Sequence, residues 1–153
     1  MVIEQAITTA RNLMENTEAA YLTTITSQGM PLTRAMLNLR SQTQYPALVD
    51  FFHAPENEWQ IYFTTNTSSR KVMQLRENAN ASVFYCQPQA WIGLSLSGQL
   101  ALVTDEAVKQ TLWQPAWTMY YPQGPTDDDY AILRLTPTHA ELYHQLDGAR
   151  WEL

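Results

Sequence analysis

The chain has 153 residues, of which 45% are hydrophobic and 16% charged, and fifteen Asp and Glu against nine Lys and Arg give a net charge of −6. This length is typical of one domain with its own core, and the composition excludes a disordered tail, a collagen-like chain and a coiled coil. The acidic balance argues against nucleic acid as a partner, because Arg70 and Lys71 are the only adjacent basic residues.

No apolar run approaches the ~18–20 residues that span a bilayer, and the first residues lack the basic-then-apolar pattern of a signal peptide. The single cysteine, Cys86, cannot form an intrachain disulfide and lies in the apolar run of residues 82–86. That setting favours a buried core thiol over a reactive one. We therefore expect one domain over residues 1–153, in the cytoplasm and without a membrane partner.

The first half of the chain alternates helical and extended patterns. Apolar residues recur with a helical period over residues 3–15, which predicts an amphipathic helix. Residues 20–27 and 31–39 are separated by Gln28-Gly29, and the pair is typical of a β-hairpin. After a polar stretch and a short apolar run at residues 48–52, the composition of residues 59–65 predicts a strand.

The second half continues with a helix over residues 70–78, which follows a Ser cap signal, and with a short helix from the Asp105 cap to residue 112. An aromatic, proline-rich connection separates that helix from the last strands. The strands are expected over residues 81–86, 91–104, 130–136 and 139–145. Six or seven strands with few short helices indicate a mostly β fold, an antiparallel barrel or sandwich with helices packed outside.

The clearest chemistry lies in residues 61–71, where a strand ends in Thr64-Thr65, a polar loop follows, and a helix begins with Arg70-Lys71. A helix N-terminus attracts anions, whereas cations in its first turn oppose the dipole by about a few tenths of a kcal/mol. A bound phosphate would compensate for those cations, and Arg34 on the hairpin could lie alongside. The alternative is a solvated helix cap carrying two surface bases.

These stretches resemble the pyridoxamine 5′-phosphate oxidase-like proteins, in particular Pro31-Leu32-Thr33-Arg34-Ala35-Met36, residues 62–71 and residues 81–85. Residues 113–115, 121–124 and 127–143 resemble the general stress protein branch of that superfamily. The resemblance covers about residues 6–144. It implies a six- to seven-stranded antiparallel split β-barrel that binds FMN and works as a homodimer, with FMN at the subunit interface.

The resemblance also implies three groups of FMN-binding residues. The first lies on the strand that passes along the flavin, the second contacts the ribityl chain and phosphate, and the third is the phosphate-binding turn. In that order they are Arg34, Ala35 and Met36; Thr64 and Thr65; and Ser69, Arg70 and Lys71. From a second subunit, residues 113–121 and the region of Trp91 are candidates for covering the flavin ring, with core or interface packing as the alternative for these aromatic residues.

Two departures separate the chain from the oxidase proper. Gly93 stands where the oxidase carries a glutamine, and residues 148–153 lack its terminal Arg-x-His segment, so pyridoxamine oxidation is not expected. The leading hypothesis is an FMN-dependent oxidoreductase that acts on an unknown small molecule, with no catalytic residue that the sequence can name. The alternatives are a non-catalytic flavin- or haem-binding stress-response protein and a barrel that has lost its flavin.

Metal ligation is not predicted. The three histidines lack cysteine or carboxylate partners at ligand spacing. Residues 127–129 are three consecutive aspartates without the alternating spacing of a calcium loop, and their pattern favours a solvated, turn-forming run.

Overall fold

A computed structural model describes residues 1–153 as a seven-stranded antiparallel sheet with four helices. The strands are β1 (Ala19–Ile25), β2 (Pro31–Leu37), β3 (Ile61–Asn66), β4 (Asn80–Gln87), β5 (Ile92–Leu102), β6 (Tyr130–His144) and β7 (Asp147–Glu152). The helices are α1 (Ile3–Asn16), α2 (Val49–His53), α3 (Arg70–Glu77) and α4 (Glu106–Leu112). The mostly β, antiparallel fold predicted from the sequence is confirmed.

The strand order is β2-β1-β4-β5-β6-β3, and β7 pairs with the second half of β6. The first half of β6 pairs with β3 instead. The sheet is therefore split: β3 and β7 extend it beyond β6 at opposite ends of the same long strand. This arrangement leaves the end of β3 beside the hairpin of β1 and β2.

A β-bulge bends the two central strands where Gly98 of β5 meets Pro137 of β6. A Cβ atom on Gly98 would lie 2.1 Å from the carbonyl oxygen of Thr136, so only glycine permits this close approach. The strands predicted at residues 130–136 and 139–145 are consequently one strand that runs through Pro137. Strand β7 was not predicted, because its sequence is polar and lacks an apolar alternation.

Two apolar clusters hold the fold together. The first fills the barrel with mostly aliphatic side chains and buries one face of α1, as the periodicity predicted, through Ala6, Ala10, Leu13 and Met14. The second is aromatic and lies between α2, α4 and the outer ends of β3 and β6, around Trp117 and Tyr130. This aromatic cluster supports the cavities described below.

Several local predictions can be compared with the structure directly. The hairpin of β1 and β2 and the Asp105 cap are confirmed, and the Asp105 carboxylate accepts a hydrogen bond from the Ala107 amide at 2.9 Å. Cys86 is half-buried rather than fully buried. Among the helices, none has the length and apolar character needed to cross a bilayer.

Candidate functional site

A cavity of about 470 Å³ lies between β2, the end of β3 and the start of α3, and we call it the β3 cavity. The structure brings five of the eight predicted cofactor residues to its lining, and all three groups are represented. These five are Ala35, Met36, Thr64, Thr65 and Lys71. The remaining lining comes from the start of β1, from Leu37 and Gln44, and from Asn66, Tyr120 and Tyr121.

The other three predicted residues lie beside the β3 cavity rather than in its lining. Ser69 precedes α3, and its hydroxyl oxygen accepts a hydrogen bond from the Thr65 hydroxyl at 3.3 Å. Arg70 is exposed at the first position of α3, on the face of a smaller neighbouring cavity. Arg34 lies half-buried between β2 and α3, where its positive charge interacts unfavourably with those of Arg70 and Lys71.

Neutral acceptors hold the Arg34 side chain in place. Its Nη1 donates to the Thr24 hydroxyl at 2.7 Å and to the Leu22 carbonyl at 3.3 Å. Its Nη2 donates to Oε1 of Gln74 at 3.3 Å, and Gln74 is itself buried on α3. These bonds fix the orientation of the guanidinium group without neutralising its charge.

Arg34, Arg70 and Lys71 form a group that we call the cation cluster. None of the three makes an ion pair with a carboxylate. Burial, and then the charge of Arg70, lowers the pKa of Arg34, and burial, and then the charge of Arg34, lowers the pKa of Lys71. Three like charges without a counter-ion at a helix N-terminus create a strong local preference for an anion.

The loop before α3 is organised by Asp129, whose role the sequence did not reveal. The Asp129 carboxylate accepts hydrogen bonds from the Asn66 side-chain amide at 2.5 Å and from the Ser68 backbone amide and hydroxyl at 3.2 and 3.1 Å. These bonds lower the pKa of Asp129, with the Asn66 bond as the largest cause. The last residue of the acidic run is therefore a loop anchor and not only a solvated turn residue.

Tyr121 contributes a phenol group to the lining of the β3 cavity. It is buried, and its hydroxyl lies 3.0 Å from the Thr64 hydroxyl, close enough for a hydrogen bond. Burial raises the pKa of Tyr121, and the Thr64 bond opposes that rise. The neutral phenol therefore fixes the Thr64 hydroxyl beside the cavity.

The aromatic connection lies against the cavities of its own chain. Trp117 is buried in the aromatic cluster and Trp113 packs edge-on against it, with ring centroids 6.0 Å apart. For these two tryptophans, the contacts agree with the alternative of core packing. Tyr120 and Tyr121 line the same cavity as Thr64 and Lys71, and the expectation that residues 113–121 cover a flavin held by a second subunit stays a prediction.

A second cavity of about 470 Å³ lies on the outer face of β5, β6 and β7 and contains none of the predicted residues. Its one cationic guanidinium is already matched, because Arg150 donates to the Glu141 carboxylate at 2.8 Å. His139 lies here, 2.8 Å from the Thr138 hydroxyl, while His53 lies far along the chain beside Glu15. No group of three potential metal ligands occurs in the structure. The unmatched cations distinguish the β3 cavity as the candidate site.

Comparisons with known proteins agree with the fold. The family model described as pyridoxamine 5′-phosphate oxidase like matches residues 5–150. A comparison with curated proteins finds no matching relative. Among solved structures, a Clostridium acetobutylicum protein related to general stress protein 26, of the pyridoxinephosphate oxidase family, is 24% identical with a TM-score of 0.79, over 99% of this chain and 97% of that one.

Two further solved structures are similar. General stress protein 26 from Bacillus anthracis str. Sterne is 16% identical with a TM-score of 0.71, over the whole of both chains. A heme binding protein from Mycobacterium smegmatis is 15% identical with a TM-score of 0.70, over 99% of this chain and 60% of that chain. At these identities the likeness concerns the fold.

Proposed function

The chain belongs to the pyridoxamine 5′-phosphate oxidase-like family, and we propose on that premise that it is a flavoprotein that binds FMN in the β3 cavity. The observation that carries the proposal is the cation cluster, in which three basic residues surround a helix N-terminus without a carboxylate partner. A phosphate monoester has the charge and the acceptor oxygens that this arrangement lacks. The residues present therefore fit the phosphate end of FMN.

Each part of the site has a separate task in this proposal. The cation cluster holds the phosphate, Arg34 from the sheet side and Lys71 from the helix, and Ser69 and Thr65 add hydroxyl groups. Thr64, oriented by Tyr121, faces the ribityl chain. The strand residues Ala35 and Met36 then lie toward the ring end of the cavity.

FMN supplies hydride-transfer chemistry when bound, and the protein orients it and sets the electrostatics around it. We propose an oxidoreductase that acts on an unknown small molecule. The β3 cavity contains no histidine, and its two phenol groups are those of Tyr120 and Tyr121. The contribution of the chain is thus binding and orientation, and no side chain is assigned as a general acid or base.

The test is the visible absorption spectrum of the protein after FMN is added and the excess removed by desalting. We expect a retained flavin band near one per chain. Replacing Arg70 and Lys71 by Ala should weaken FMN binding by roughly 100-fold or more, because two charge-assisted hydrogen bonds of ~1.5–3 kcal/mol each are lost. Arg76→Ala, which removes an exposed cation from the last turn of the same helix, is the matched control. Full retention of FMN by the double variant would overturn the phosphate site.

The second candidate function is binding of flavin or haem without turnover. The structural similarity to a heme binding protein supports this candidate. A haem-like absorption band in place of a flavin band would support haem binding. A flavin band without steady-state reduction by NADH or NADPH and an acceptor would support a flavin carrier. The cation cluster favours a phosphorylated cofactor over haem, since none of the three histidines lines the β3 cavity.

We also propose that the protein is a homodimer that uses the outer face of the sheet. Phe84 of β4 and Tyr143 of β6 stack there with ring centroids 6.4 Å apart, and Tyr21 of β1 is the register partner of Phe84. Tyr21 and Tyr143 are each 38% exposed, so an aromatic strip faces outward. Light scattering should give twice the chain mass, and Tyr143→Glu should give the single-chain mass. A single-chain mass for the unmodified protein would refute the dimer.

A further inference from the structure

A second, smaller cavity of about 330 Å³ adjoins the β3 cavity, and we call it the aromatic cavity. The two cavities share Leu37, Gln44 and Tyr120 in their linings, so they meet along one edge. The shared edge includes Leu37, which follows Met36 in β2, and Lys71 lines only the β3 cavity. On the proposed function, on which this inference rests, the shared edge is the ring end of the cofactor.

The aromatic cavity contains no charged side chain, in contrast to the β3 cavity with Glu18 and Lys71. A charged ligand would lose part of its hydration there without gaining an ionic partner, which is unfavourable. The occupant is therefore uncharged. Its floor is apolar and rigid, because Trp117 is buried and packs edge-on against both Tyr45 and Trp113.

The side chains of Gln44 and Gln114 add polar groups to this apolar surface. The side-chain amide nitrogen of Gln114 donates to the carbonyl oxygens of Trp113 and Leu112 at 3.1 and 3.4 Å. That of Gln44 donates to the carbonyl oxygen of Glu18 at 3.5 Å. Both N–H donors of Gln114 are used by the backbone, so this side chain offers a ligand its oxygen, which is an acceptor, and Gln44 offers its oxygen and one remaining N–H.

We propose that the aromatic cavity binds the small-molecule substrate, and that this substrate is a neutral aromatic compound with a hydroxyl or N–H donor. The class follows from three features together: an uncharged lining, a rigid aromatic floor and acceptor groups at the wall. Exposed Met119 and Tyr120 lie at the mouth, and the flexible Met side chain can adapt to a ring. The volume lies at the lower limit of small-molecule pockets, which suits a compact ring system.

The experiment uses the full chain purified with FMN and two fluorinated probes of similar size, neutral 4-fluorophenol and anionic 4-fluorobenzoate. Fluorine NMR line broadening measures the binding of each probe. We expect saturable binding of the phenol and at least tenfold weaker binding of the benzoate. Ala116→Trp should fill the cavity and weaken phenol binding at least tenfold, whereas Ala107→Trp on exposed α4 should leave it unchanged.

Three outcomes would overturn the proposal: no saturable phenol binding, equal binding of the two probes, or equal loss in both tryptophan variants. Phenol binding that appears only on dilution to a single-chain species would show that a second copy fills the cavity, and would also overturn it. The flavin band of the same sample reports on the β3 cavity independently. Loss of that band with phenol binding intact would refute the FMN site alone.

Discussion

Arg34 and Arg40 lie close together in the sequence, and burial lowers the pKa of both, that of Arg40 to about 10. Their side chains are held in the same way, by neutral acceptors and not by a carboxylate. Their surroundings differ in charge. The charge of Arg70 lowers the pKa of Arg34 further, whereas Tyr85 and then the Glu15 carboxylate act against the effect of burial on the pKa of Arg40, and the charge of Arg11 is the smallest cause there.

The contacts of Arg40 explain its different role. Its Nη2 donates to the carbonyl oxygens of Asn57, Glu58 and Gln60 at 2.5, 2.8 and 2.9 Å. Its guanidinium carbon lies 4.6 Å from the ring centroid of Phe52, a cation–π contact. Arg40 therefore ties the chain before β3 to the aromatic cluster, and its contacts are internal.

The comparison shows that a half-buried or buried arginine is not in itself a binding residue. What distinguishes the two is the charge of their neighbours: Arg34 has cations around it, whereas Arg40, which also lines a cavity, has the Glu15 carboxylate beside it. Arg34 lies among cations beside the β3 cavity, so an anion bound from solution would stabilise its positive charge. Arg40 has its acceptors within the fold, so its removal should affect stability and leave the cofactor in place.

The largest expected effect is therefore on folding, from Arg40→Met. The variant removes the Arg40 donor from three backbone carbonyl oxygens, of which that of Asn57 keeps the Gln60 amide at 3.2 Å, and it removes the cation–π contact with Phe52; together these losses should lower the free energy of unfolding by about 3 kcal/mol. For a chain of this length that corresponds to a fall in the melting temperature of roughly 6–12 °C. Thermal unfolding followed by circular dichroism measures the change, and FMN affinity measured below the transition should be unchanged.

The converse variant, Arg34→Met, should weaken FMN binding by about tenfold or more and change stability little. It removes one charge from the cation cluster, and a hydrogen bond to a charged group is worth about 1.5–3 kcal/mol. Gln74 keeps its bond from the Thr24 hydroxyl, so the buried amide is not left unpaired. Flavin fluorescence titration measures the affinity. If Arg34→Met loses stability as Arg40→Met does and retains FMN, the distinction between the two arginines is wrong.

Much of this fold could be predicted from the sequence, because hydrophobic period and turn residues are local signals. The α1 face, the β1–β2 hairpin and the start of α3 after Ser69 all follow from such signals. The continuity of β6 through Pro137 could not, since it depends on the close approach that Gly98 permits across the sheet. In the sequence Pro137 indicates the end of a strand, whereas in the structure it lies at a β-bulge within one continuous strand.

The site could be predicted where its residues are close in sequence, and not where distant segments meet. Thr64, Thr65 and Lys71 are close in sequence and meet in one cavity. Asp129 is distant in sequence from the loop it anchors, and only the pairing of β3 with β6 brings it there. Gly93 depends on a distant residue in the same way: a Cβ atom at this position would lie 2.5 Å from the Tyr143 ring, so a larger side chain would require that ring to move.

The role of Asp129 gives a smaller prediction about the cation cluster. Asp129→Asn keeps the size of the side chain but replaces a charged acceptor of three hydrogen bonds, so the loop before α3 should become less ordered. We expect several-fold weaker FMN binding, measured by fluorescence titration. Asp128→Asn is the matched control, because Asp128 contacts the loop through its backbone carbonyl, which accepts from the Thr67 hydroxyl at 3.0 Å. Equal effects of the two variants would contradict the anchoring role of the Asp129 carboxylate.

The smallest expected effect is on the pH dependence of FMN binding, and it concerns Lys71. Burial, and then the charge of Arg34, lowers the pKa of Lys71 in the free protein, whereas a bound phosphate favours the protonated ammonium group. Binding therefore takes up a proton as pH rises through that lowered pKa. Affinity should be complete below it and fall above it, starting at a lower pH than the ordinary lysine value of ~10.4. Lys71→Arg keeps its charge over this range, so fluorescence titrations of this variant should lack the alkaline loss, and an identical loss in both proteins would mean that Lys71 does not contact the phosphate.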